Sequence, residues 1–175
     1  MESFAQRVEH LVRIMYYIAG AAIITMMLLT VFDVALRFAV TLYSTYGWTF
    51  LEKIRPIPGT YELVALVASV AAAFAMAHTS VVGGHVAVSI LTRLFPEKAA
   101  ARLRIFTNFS GIVLFGLICW RSVAYAEQLQ ETGEVSMTMQ IPISPFVYGV
   151  AFSSLMVCAV LFLEICNDAI KARVK

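Results

Sequence analysis

The chain is 175 residues long, 61% hydrophobic and only 14% charged, with a mean hydropathy of +0.83. Soluble domains carry about 25% charged residues, so this composition excludes one. The formal net charge of +2 comes from dispersed basic residues and gives no sign of nucleic-acid binding.

No Asp, Glu, Lys or Arg lies within residues 14–32, 63–92, 105–120 or 135–163. A bilayer core of about 30 Å takes about 20 apolar helical residues. Helices satisfy their own backbone groups there. The chain therefore reads as a single all-α integral membrane domain with four transmembrane helices. A charge at midplane costs about 2.5–3.5 kcal/mol and usually marks an ion or proton path. None is committed to the middle of a span.

Helix 1 is expected over residues 11–37. Arg7 and Arg13 precede an apolar run that ends at Asp33 without a small-residue cleavage box. A signal-peptide apolar region spans about 7–15 residues, so this longer run reads as a retained helix. Asp33 and Arg37 stand one turn apart with the acid nearer the N-terminus, the better orientation for an i,i+4 pair. The pair either anchors the helix end or offers a polar contact to a partner. Residues 38–51 also lack charge, but the stretch is short and holds Ser44, Gly47 and several aromatics, so it reads as an interfacial segment rather than a fifth span.

Helix 2 is expected over 60–82, after Pro56, Pro58 and Gly59, with Thr60 as its N-cap. Glu62 falls in its first turn, where an acid suits the positive end of the helix dipole or can reach a partner. Ala65, Ser69, Ala73 and Ala77 recur every four residues along it, a spacing that lets helix backbones approach closely. Either an internal seam or a partner surface fits that ladder. Leu63, Leu66, Val67, Val70 and Phe74 on the other side read as facing lipid or a partner. Gly83-Gly84 then breaks the chain, and residues 85–95 read as an amphipathic interfacial helix with Val86, Ile90, Leu91, Leu94 and Phe95 on one stripe.

Helix 3 is expected over 104–126, followed by Glu127, Glu131 and Glu134 on a solvated face. Ser144 and Pro145 supply the cap and first-turn proline of helix 4, over 144–165. Gly149 and Ser153 repeat the small-residue spacing there. Nine Lys and Arg residues flank the spans on the side of the termini and four on the other. The positive-inside rule places both termini in the cytoplasm.

Chemistry-bearing patterns are sparse. Cys119, Cys158 and Cys166 lack CxxC spacing and read as packing residues. His78 and His85 are seven residues apart, whereas a membrane haem needs histidines facing each other from different helices. They read as hydrogen-bonded interfacial side chains. No GxSxG, HExxH or phosphate-cradling loop occurs, so neither an enzyme nor a cofactor or metal is expected.

Three sets of segments resemble the small membrane subunit, the DctQ type, of tripartite ATP-independent periplasmic (TRAP) transporters. The first joins Phe32-Asp33-Val34-Ala35-Leu36-Arg37 to Pro58-Gly59-Thr60-Tyr61-Glu62-Leu63. The second is Gly84-His85-Val86-Ala87-Val88. The third is Gly133-Glu134-Val135-Ser136-Met137-Thr138 with Ile141-Pro142. The resemblance covers nearly the whole chain and implies a multi-pass protein of the bacterial inner membrane. It implies a large membrane subunit that moves as an elevator and carries substrate and sodium sites, and a periplasmic binding protein that delivers an organic anion. The small subunit would brace the large one and extend the docking surface, with Asp33, Arg37, Glu62, Glu134 and Ser136 as candidate contacts. The 41–54 insertion departs from the family's usual short first loop.

Two other classes stay in view. A stand-alone four-helix transporter working as a dimer expects an acid deep in helix 1 and balanced basic residues, against nine and four here. A b-type haem electron-transfer subunit expects facing histidines.

Overall fold

The computed structural model describes residues 2–46, 56–81 and 97–174. Within them the chain forms four long helices, α1 (Glu2–Tyr46), α2 (Thr60–Val81), α3 (Glu97–Thr132) and α4 (Ser144–Val174). Each holds a stretch long and apolar enough to cross a membrane. Among the described residues the only β pairing is one isolated bridge, Val135 to Pro142.

Helices α2 and α4 begin where their proline and glycine signals put them. The others overrun the expected limits of 11–37 and 104–126, and α4 runs past 165. Hydrophobicity marks only the part of a helix that lipid covers. The N-terminal flank of α1 and both flanks of α3 carry Glu, Lys or Arg, good helix formers, and no proline interrupts either helix. Residues 41–46 of the expected loop insertion continue α1. Thr41 returns its hydroxyl to the Arg37 carbonyl at 3.0 Å and Ser44 to that of Thr41 at 3.1 Å, so their polar groups are served inside the helix. Residues 47–54 of that insertion and the expected interfacial helix 85–95 lie outside the described residues.

The cap of α2 also differs from expectation. Leu63 N–H donates to the Gly59 carbonyl at 3.1 Å, which makes Gly59 the cap and Thr60 the first helical residue. Gly59 takes a positive φ of 78°, open to glycine at little cost.

Packing follows heptads. Along α1 the covered positions are Val8, Val12, Met15, Ala19, Ala22, Met26, Leu29, Asp33, Leu36 and Val40. Their steps alternate between four and three, the 3.5-residue period of a left-handed helix pair. A second such series on α3 runs Asn108, Ile112, Phe115, Cys119, Ser122, Ala126 and Leu129. Helix α1 lies along α2, α2 along α4, and α4 along α3, with a lesser contact between α1 and α4. Among the described residues α3 packs on no helix but α4.

Small residues set the close approaches. A methyl at Gly111 of α3 would come within 2.8 Å of Leu161 on α4, and one at Gly149 of α4 within 3.3 Å of Val70 on α2. Ser153 is buried on α4 and donates to the Ala73 carbonyl at 2.5 Å. The tightest core lies toward the chain termini, where Val8, Val12 and Met15 meet Ala77, Val157, Val160 and Leu161. Long apolar faces remain uncovered, including Ile24, Leu28, Val31 and Phe38 on α1. In lipid such exposure costs nothing, because the solvent is itself apolar.

Candidate functional site

Two polar junctions lie at the end opposite the termini. The first is built on Asp33, which occupies a heptad position of α1 and is 2% exposed. A carboxylate so deeply covered requires partners. Arg37 Nε donates to its Oδ2 at 2.7 Å from one turn along α1. The Thr60 hydroxyl lies 3.2 Å from Oδ1, with the Ile57 carbonyl as its second acceptor at 3.0 Å. The Arg37 guanidinium also lies over the Tyr61 ring, 5.2 Å from its centroid. One buried acid thus ties the outer part of α1 to the start of α2.

The second junction fastens the α3–α4 loop to α2. Helix α3 stops in a Schellman turn, with Gly133 at a φ of 66° and Glu134 N–H donating to the Leu129 carbonyl at 3.2 Å. The loop then folds on itself. Ser136 N–H donates to Ile141 O at 2.9 Å and Gln140 N–H to Ser136 O at 3.0 Å. Glu62 reaches into this fold. It accepts from Thr138 N–H at 3.1 Å, from the Thr138 hydroxyl at 2.7 Å and from the Ser136 hydroxyl. Met139 lies over Gly59, where any side chain would collide with it.

The residues singled out in the sequence fall into two groups. Asp33 and Arg37 pair with each other, and Glu62 pairs with Ser136, so each finds its partner inside the chain. Glu134 is exposed beside the second junction. Thr60 and Thr138 complete the two junctions. Both lie in the segments that carry the family resemblance, and a hydroxyl at a helix start or turn was the available signal. Apolar side chains are also left outside at the tips: Tyr61, Val135, and Met137 at 98% exposure.

The small-residue ladder on α2 divides. Ala77 is buried in the core and Ala73 is half-covered by α4, while Ala65 and Ser69 are exposed. Four residues turn a helix by about 400°, so each step of such a ladder drifts about 40° around the axis. The face holding Val70 and Phe74, expected to look outward, is the one that meets α4 and the core. At the opposite end of α2, His78 makes no hydrogen bond through its buried Nδ1, contrary to the expected interfacial bonding. Among the described residues no three His, Cys, Asp or Glu side chains gather as a metal site would require.

The polar groups at the loop end hold helix ends and a loop in fixed relation. This is a four-helix integral membrane protein in which Asp33, Arg37 and Glu62 serve its own architecture. The family described as tripartite ATP-independent periplasmic transporters, DctQ component, matches residues 26–170, and the chain belongs to it. It is thus a small membrane subunit of a TRAP transporter, a multi-pass protein of the inner membrane, within a system that also has a large membrane component and a periplasmic binding protein. Comparison with curated proteins and with solved structures gives no match.

Proposed function

We propose that this chain is a non-catalytic brace for the large membrane subunit of a sodium-coupled importer of organic anions, with both termini in the cytoplasm. One observation carries the reading. Asp33, Arg37 and Glu62, at the loop end of α1 and α2, are engaged within the chain, while long apolar faces on α1 and α3 remain uncovered. A transporter acting alone needs polar groups free to bind and release a solute near midplane. A brace needs rigidity and an apolar flank.

Two flanks suit the two partners. Ala65, Ser69 and Ala72 are exposed on α2 and let a neighbouring helix come close, as membrane packing favours. At the loop end, Met137 and Tyr61, with Glu134 nearby, offer an amphipathic surface for the binding protein. The Glu62 junction holds that surface in shape.

Reconstitution tests the proposal. Liposomes holding this chain alone should take up no organic anion under an inward sodium gradient, with carboxylates, sugar acids and sulfonates as the probes. Liposomes that also hold the large subunit, with binding protein outside, should take up one of them. Uptake by this chain alone would overturn the reading and favour a self-sufficient dimer.

A further inference from the structure

Near the terminal end of α1 and α2, several polar tips have no role in the fold. The His78 ring lies against Tyr16, with centroids 4.2 Å apart and planes inclined by 31°. Tyr17 stands beside Tyr16, ring centroids 6.0 Å apart. These tyrosines are 47% and 68% exposed, and neither hydroxyl has a hydrogen-bond partner among the described residues. His78 Nδ1 is buried and unpartnered. Nε2 has no partner among the described residues either and is not enclosed as Nδ1 is. It is the ring nitrogen left to meet a ligand.

Arg13 stands one turn from Tyr16 and Tyr17 toward the α1 N-terminus. Its guanidinium is exposed, with Glu9 3.5 Å away as its neighbour. His78 is likewise in the last turn of α2. The cluster therefore sits where an apolar span gives way to charge. The charge around it is positive. Residues 1–13, 82–104 and 164–175 carry nine basic and five acidic side chains, whereas residues 33–62 and 121–134 carry four and six.

We infer that the Tyr16–Tyr17–His78–Arg13 cluster seats the headgroup of an anionic phospholipid in the leaflet beside the chain termini. Arg13 takes the phosphodiester. The tyrosine hydroxyls and His78 Nε2–H serve the glycerol and ester oxygens, acceptors that lie at this depth. The acyl chains run along the uncovered apolar face of α1, past Ile18 and Ile24, both exposed. This site rests on the topology of the four spans and not on the brace reading.

The test is native mass spectrometry of the full chain in micelles holding equal amounts of dioctanoyl-phosphatidylglycerol and dioctanoyl-phosphatidylcholine. The native chain should retain the anionic lipid in clear preference. Arg13→Gln should cut that preference about fivefold, the factor one basic residue supplies near an anionic surface. His78→Leu should lower the retention of both lipids about threefold, the loss of one hydrogen bond to oxygens that both carry, while His78→Gln keeps a donor and most of that retention. Arg121→Gln, at the other end of the molecule, should change nothing. Equal retention of both lipids would overturn the inference, as would a preference unaltered in Arg13→Gln or lost equally in Arg121→Gln. Arg13 is exposed, so its variant decides the matter even where a His78 variant fails to fold.

Discussion

At the scale of single residues, Asp33 has the most to lose. It is a buried carboxylate that depends on Arg37 and Thr60, and taking one partner from a buried ion pair leaves a charge uncompensated. Arg37→Ala should therefore lower the amount of folded protein in the membrane more than Asp33→Ala does. The double variant should recover part of that loss, because the orphaned charge goes with it. Membrane abundance by immunoblot checks the order. A double variant that loses as much as the two single variants together would mean that the pair contributes nothing beyond the contacts of its separate side chains. A sequence shows an i,i+4 spacing, and that much of the pair was legible in it. Burial of one member and the third partner, 27 residues away, come from the packing of α1 on α2.

Elements read differently from residues. The start of α4 and the break before α2 were visible because proline and glycine act locally, and so were the apolar spans. Helix partners were not visible, since every face of a membrane helix is apolar and hydrophobicity cannot say which one meets protein. The α2 ladder shows the result: a pattern uniform in sequence that runs from core to open surface as it winds. Its two ends should therefore respond differently to Leu. Ala77→Leu overpacks a filled core, which costs about 1–3 kcal/mol, and should deplete the chain from the membrane. Ser69→Leu should leave abundance and helix content intact and weaken copurification with the large subunit. A Ser69→Leu protein that copurifies normally would remove α2 from the partner surface. Ser153→Ala is the mild companion, since one interhelical hydrogen bond in a membrane is worth about 0.6 kcal/mol.

For the molecule as a whole, the segments that carry the family resemblance are also the segments that meet. Residues 32–37, 58–63 and 133–138 are far apart along the chain, yet they supply both loop-end junctions. Their residue types are explained by each other. The sequence made the segments recognisable but could not say that Glu62 answers Ser136, because nothing local connects positions 74 residues apart. The proposed topology, with these junctions on the outer side of the membrane, can be tested directly. With native cysteines removed, Ser44→Cys and Gln130→Cys should react with an impermeant thiol reagent in right-side-out vesicles, and Glu97→Cys should not. Labelling at position 97 would invert the molecule.

The isolation of α3 has a consequence for how the chain is made. When α1 and α2 have emerged they can pair at once, because their seam and the Asp33–Thr60 contact need nothing that comes later. Helix α3 emerges next and finds no surface of its own to join. It waits in lipid until α4 arrives with one face for α2 and another for α3. The contacts thus predict a three-span stage in which α1 and α2 share a seam and α3 has no helix partner, and a last helix that meets α2 and α3 together.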